Sequence, residues 1–223
     1  MEFERVRTEE QRKIRVQQIK DAAVKLFDTE PFHEIDLTRI AKETSFTRGN
    51  LYKYVSSKEE IYLLVIEDEM YDYVDDLKKT FSSNPTPDME NFAEKWAQTT
   101  NRHHRMLKLL SMLATIIEQN VSLEKLVHFK QQLALIMAKM SEVVKVAFPS
   151  WHEATLSQFV QMQTYYASGL FPAVTPSPLQ REAHEKADVQ IDLPDFESGF
   201  AEFIASIASY LNTKNAAGTK SNV

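Results

Sequence analysis

An all-α fold follows from three features of the sequence. Apolar residues recur at helical spacing over most of the chain, no stretch alternates as a half-buried strand does, and the breaks fall at proline, serine and asparagine clusters. With 223 residues, 43% of them hydrophobic, the chain can bury a core of one large domain, or of a small one fused to a larger one.

The elements are predicted in order. Residues 9–28 place Ile19, Ala22, Ala23, Leu26 and Phe27 on one helix face, and Pro31 ends that helix. Asp36 can N-cap a short helix over 37–44 whose inward side is Ile40 and Ala41. Residues 45–47 are a break, and 48–54 form a second short helix. Ser56 and Ser57 then precede a long helix to about Phe81, striped by Ile61, Leu64, Val65, Tyr71, Val74, Leu77 and Phe81. Residues 82–87 read as a linker.

Helical patterns resume at 88–101, 103–119 and 123–148. The apolar segment from Met106 to Ile117 is expected to be buried all round, and Pro149 stops the third helix. The last two helices are predicted over 151–171 and 195–211, separated by a proline-containing segment at 172–194. Residues 215–222 are expected to fray. No repeat of fixed period is present.

Much chemistry is excluded. Without cysteine there are no disulfides, thiolate metal sites or cysteine nucleophiles. Glycines at 49, 169, 199 and 218 leave no GxSxG and no phosphate-cradling loop. The histidines form no HExxH; Glu30 and His33 have a helix spacing but are interrupted by Pro31. His103 and His104, about 100° apart on a helix, suit a solvated helix start better than a metal. No metal, cofactor or enzyme activity is expected.

The N-terminal run MEFERVRTEEQRK is charged and lacks an apolar core, and no apolar stretch approaches a membrane span, so a cytoplasmic protein without membrane contact is expected. Net charge is −6, but unevenly distributed. Residues 1–58 hold 12 Lys+Arg and 10 Asp+Glu, for +2, whereas 59–223 hold 14 and 22, for −8. A local field matters more to a phosphate than the chain total.

A short helix, a three-residue break and a second short helix fit helix-turn-helix geometry, with the second element offered to a major groove. The run Leu37-Thr38-Arg39-Ile40-Ala41-Lys42-Glu43, then Phe46-Thr47-Arg48-Gly49-Asn50-Leu51-Tyr52-Lys53-Tyr54, then Ser57-Lys58-Glu59-Glu60 resembles the N-terminal domain of the TetR family of transcriptional regulators. Ala22-Ala23 through Leu26-Phe27 resembles that family's first helix, so the likeness covers about residues 10–65.

The resemblance implies a helix-turn-helix DNA-binding domain over 1–58 and a larger helical ligand-binding and dimerisation domain over 59–223. It also implies a homodimer that represses from double-stranded operator DNA and is released by a small-molecule effector. The DNA-binding candidates are Thr38, Thr47, Arg48, Gly49, Asn50, Tyr52, Lys53, Tyr54 and Lys58. Arg48 can read a guanine edge, Asn50 an adenine or a phosphate, and Lys58 can meet the DNA backbone. Gly49 would let the backbone approach closely, although glycine costs about 1 kcal/mol of helix propensity.

Three positions depart from the family's pattern. Ser45 replaces the turn glycine, where a positive φ would be strained. Val55 replaces a phenylalanine, and Asp36 a threonine.

The effector candidates are Trp96, Met106, Met112, Phe129, Met137 and Met140, with Tyr165 and Tyr166 as polar-tipped contributors. An apolar or aromatic effector is expected, because no basic cluster marks this region. Phe196, Phe200, Phe203, Ile204, Ile207 and Leu211 form a stripe wider than one intramolecular neighbour needs, with Leu156, Phe159, Val160 and Tyr166 as its partner face. The resemblance implies that these two helices of each subunit form a four-helix dimer interface; the alternative is a core within one chain. The competing reading is a helical carrier or enzyme with an accidental helix-turn.

Overall fold

Helix starts are where local chemistry is most explicit, because each leaves backbone N–H groups that a side chain must satisfy. The computed structural model describes residues 2–82, 88–188 and 194–220, and every regular element among them is helical. Helix α1 runs over Glu2–Thr29 and is followed by a 3₁₀ turn, Phe32–Glu34. Asp36 caps α2 (Leu37–Glu43) by accepting the Arg39 N–H at 2.8 Å. That bond holds the Asp36 carboxyl below the usual carboxylate range.

Thr47 caps α3 (Arg48–Leu51) through the Asn50 N–H at 3.2 Å. At the head of α4 (Lys58–Phe81), Ser57 Oγ accepts the Glu60 N–H, and the Glu60 carboxylate accepts the Ser56 N–H at 2.9 Å. Asp88 caps α5 (Met89–Asn101). Helix α6 (His104–Met112) passes into a π turn, Leu113–Ile117, and a 3₁₀ turn, Glu118–Asn120. Helices α7 (Leu123–Ala147), α8 (Glu153–Val174), α9 (Pro178–Ala187) and α10 (Phe196–Lys220) complete the series.

The chain divides into two compact units, Met1–Asp68 with Met112–Gln131, and Glu69–Ser111 with Gln132–Val223. In the first, Ile19, Ala23, Ile35, Ile40, Leu51 and Ile61 are essentially inaccessible. Tyr62 is buried with them, donating its hydroxyl to Ala23 O at 2.9 Å, and its ring meets Phe27 and Phe32. Burial pushes the Tyr62 phenol well above its ordinary pKa.

In the second unit α10 packs on α5 and α8. Its centre is aromatic: Phe92 and Trp96 meet Phe81 and Phe159 with ring centroids 5.2–5.9 Å apart.

Several elements differ from the sequence reading. α3 is a single turn ending at Leu51, because Tyr52–Tyr54 already turn toward α4. α4 buries more than one stripe, adding Tyr62, Leu63, Ile66, Met70 and Tyr73. The segment from Met106 to Ile117 is not buried all round: Ala114, Thr115 and Ile116 are exposed where the helix widens into its π turn. Trp151 precedes α8 rather than opening it, and α8 continues to Val174 through Pro172 in its last turn.

Helix α9 lies inside the span read as irregular. Its signal was present, a Ser177 cap with proline at the first position and Gln180 completing a capping box. Helix α10 continues to Lys220, beyond the end read at 211. The linker at 83–87 lies outside the described residues. Ser45 avoids the feared strain: Asp188 is the one non-glycine residue with positive φ among the described residues. The turn is instead tied by Thr44, whose hydroxyl donates to Ala41 O and accepts the Phe46 N–H.

The expected dimer stripe is mostly core of its own chain. Phe196, Phe200, Ile204, Ile207 and Leu211 are buried, as are Leu156, Phe159 and Val160, because α5 as well as α8 covers α10.

Gly199 at the start of α10 is required by packing, since a Cβ there would lie 2.8 Å from Pro194 Cγ. Gly199→Ala is expected to lower stability by about 1–2 kcal/mol in urea denaturation, the clash with a stiff ring exceeding the gain in helix propensity.

Candidate nucleic-acid interface

One buried residue orients the surface. Leu51 is fully buried, which fixes the single turn of α3 and leaves Thr47, Arg48, Gly49, Tyr52 and Lys53 exposed. Arg48 donates to the Tyr52 hydroxyl at 3.1 Å and lies over that ring, 5.6 Å from its centroid. The bond raises the guanidinium pKa above its ordinary value, and the geometry places a cation and an aromatic face side by side. Asn50 is half-buried beside its cap.

Gly49 has a negative φ, and a Cβ added there would meet nothing within 4 Å. The fold does not need glycine at this position. The space in front of it is open, as a backbone meant to approach a partner requires.

The remaining candidates differ in availability. Thr38 is half-buried at the start of α2. Tyr54 stacks on Phe46 at 6.2 Å, which ties its ring to the head's core. Lys58 donates to Phe32 O at 2.6 Å and Ile35 O at 2.7 Å, with Phe32's ring 4.3 Å beneath it. Burial lowers its pKa. Its ammonium therefore closes the 3₁₀ turn against α4.

Sequence reasoning passed over Arg12 and Arg15, whose guanidiniums lie over Tyr54 and Phe46 at 5.9 and 5.0 Å. They are exposed cations beside the same segment. Their i,i+3 spacing on α1 was the available signal.

The effector candidates do not form one cluster. Met112 and Phe129 fall in the first unit, and Trp96, Met106, Met137, Met140, Tyr165 and Tyr166 in the second. Met106 and Met140 border a space of about 10 Å³ beside Tyr73, Thr100 and Gln163, room for about one water. Trp96 donates its indole N–H to Gln163 at 3.2 Å, and the Gln163 amide reaches Met140 Sδ at 3.2 Å. Tyr73 and Thr100 share a hydrogen bond of 2.8 Å. Met137 and Met112 are half-buried. Tyr166 stacks on Phe203, and Tyr165 is exposed.

A capped short helix presented on a three-helix head defines a helix-turn-helix DNA-binding protein. Residues 19–65 match the family model described as bacterial regulatory proteins, tetR family, and 67–213 match the Tetracyclin repressor-like, C-terminal domain. The chain belongs to the TetR family of transcriptional regulators. Regulators of this family bind operator DNA and ligands and are dimeric.

Among curated relatives, the Fatty acid metabolism regulator protein of Bacillus subtilis (strain 168) is 23% identical over 135 residues, 60% of this chain and 63% of that protein. The HTH-type transcriptional regulator SAB2452 of Staphylococcus aureus (strain bovine RF122 / ET3-1) is 33% identical over 63 residues, 28% and 34% of the two chains. The chain thus spans less than two thirds of either relative.

Among solved structures, the fatty acid degradation regulator FadR from Bacillus halodurans superposes with a TM-score of 0.52 at 15% identity, covering 86% of this chain and 93% of that one. The TetR family repressor AlkX from Dietzia sp. strain DQ12-45-1b, implicated in biodegradation of n-alkanes, gives 0.52 at 12% identity, covering 89% and 96%. These likenesses show the fold. Among the described residues no helix is long and apolar enough to cross a membrane, and no group of three or more His, Cys, Asp or Glu could hold a metal ion.

Two substitutions separate binding from folding. Gly49→Ala is expected to hold or raise the melting temperature, since nothing crowds the new methyl, while weakening operator binding in a gel shift. Lys58→Met is expected to cost about 1–3 kcal/mol of stability in denaturant titration, because two carbonyls lose their donor.

Proposed function

We propose that this regulator is a repressor whose operator is read by α3 and which an apolar, acyl-chain or aromatic, effector releases. The observation that carries the DNA half is the exposed face of Thr47, Arg48, Gly49, Tyr52 and Lys53 above a fully buried Leu51. On this reading Arg48 donates to a guanine edge, held in place by Tyr52. Lys53, the spare N–H of Lys58, and Arg12 and Arg15 supply charge toward phosphates. The functional division falls near residue 58, with ligand sensing and dimerisation assigned to the rest.

The effector half rests on two supports. The names of the Bacillus relatives refer to fatty acid metabolism and degradation. The interior bordered by Met106, Met140, Leu107 and Leu110 is apolar, with Tyr73, Thr100 and Gln163 available to orient one polar end. No basic group is among the residues around that space, which disfavours a phosphate-bearing end there. The homodimer is proposed to form on surface that the chain leaves uncovered, where Tyr165 of α8 and Tyr210 of α10 are exposed. A two-fold pair of heads then meets half-sites about one helical turn apart.

The test is selection of bound sequences from random DNA, followed by release with acyl compounds of graded length. Arg48→Ala is expected to lower operator affinity by about 1–3 kcal/mol and relax one base position. Unchanged affinity in a folded variant removes the recognition-helix assignment. Release by polar, charged compounds alone removes the effector class.

A further inference from the structure

The first unit holds a second cavity, separate from the space around Met106 and Met140. It measures about 210 Å³, with Val16 of α1, Val55, Leu63 and Leu64 near the start of α4, and Phe129 of α7 among its walls. That exceeds the roughly 150 Å³ in which a benzene ring is held dry, so a single ring with a short side chain fits. The small side chain of Val55 leaves this room beside a core position.

The polar groups around it are unequally committed. Glu60 spends its carboxylate on the Ser56 N–H. Arg12 lies over the Tyr54 ring, and Lys20, the cation on α1 that acts on Glu67, is paired with Asp68. Glu67 is half-buried on the cavity wall and makes no hydrogen bond or ion pair with any described residue. Burial pushes its carboxyl above the usual range, and the His128 imidazole nearby opposes this from α7. Lys125 and His128 border the cavity too but are exposed, where water screens them.

We infer that this cavity is a binding site for a small apolar monoamine, its ammonium on Glu67 and its ring against Phe129, Leu64 and Val16. A half-buried carboxylate without a partner is stabilised most by a cation that brings its own apolar body. Because Tyr54 and Val55 belong to the wall and lie three and four residues past the end of α3, an occupant touches the segment that joins the recognition turn to α4. The site therefore acts beside the recognition segment, at a place separate from the space proposed for the acyl effector.

Calorimetric titration of the full chain with benzylamine, benzyl alcohol and benzoate tests this without DNA, so the outcome does not depend on the operator reading. Benzylamine is expected to bind at least about tenfold more tightly than either analogue, the size of a charge-assisted hydrogen bond. Glu67→Gln, which preserves shape, is expected to reduce benzylamine to the level of the alcohol. Val16→Phe, which fills the cavity, is expected to abolish binding while the circular dichroism melt stays cooperative. Absence of benzylamine binding, equal binding by Glu67→Gln, or tighter binding of benzoate would each overturn the assignment.

Discussion

A helix of four residues has no stability of its own in water; a single turn fixes more dihedrals than its hydrogen bonds reward. Helix α3 exists because the surrounding head holds it. Leu51 fills the core, Phe46 and Val55 are buried on either side, and Thr47 caps the one free turn. The other head elements follow from that requirement. α1 buries Ile19, Ala22, Ala23, Leu26 and Phe27 and packs on α2, α2 starts at its Asp36 cap and packs on α3, and Lys58 draws the 3₁₀ turn onto α4. With its backbone so determined, the exposed edge of α3 can carry residues chosen for a partner rather than for folding.

The second unit follows a different rule. Its centre is aromatic and aliphatic, but a string of polar groups runs through it: Tyr73 with Thr100, Trp96 with Gln163, and Gln163 with Met140. Buried polar groups are tolerated only when paired, and here each has a partner. Such pairs are exchangeable in a way that packed methyl groups are not, since a ligand carbonyl or hydroxyl can replace one member. Methionines at Met70, Met106 and Met140 border the same place, and their unbranched side chains can move aside at low cost.

The parts of the fold legible in the sequence were those with local causes. Asp36 and the serines before Lys58 announced helix starts, and the order of residues from Leu37 to Glu60 announced the helix-turn-helix that the family model matches. Gly49 was legible because the chain is glycine-poor, and the structure supplies the complementary fact that its surroundings are empty. What pattern could not supply was partnership at a distance. Lys58 looked like a surface cation because nothing in its neighbourhood reveals that two carbonyls 26 and 23 residues away await it. The stripe on α10 looked too wide for one neighbour because the second, α5, is about a hundred residues earlier. The effector residues were chosen by side-chain character, and character does not say which methionines meet: Met106 and Met140 do, while Met112 belongs to the other unit.

The small volume around Met106 and Met140 constrains how release can work. A space of about 10 Å³ admits no acyl chain, so on the proposed reading an effector can bind only a packing other than the one described. The described packing is then the effector-free state, and the effector's differential affinity for the open one sets how far it can shift the balance. Linkage makes the cost mutual. If opening this interior lowers affinity for the operator, DNA must lower affinity for the effector by the same factor. The hydrogen bonds of Gln163 and Tyr73 set part of that balance, because an incoming ligand must replace what they now provide or leave a buried donor unpaired. On the proposed reading, specificity for the ligand's polar end and the threshold for release would therefore be determined by the same few groups.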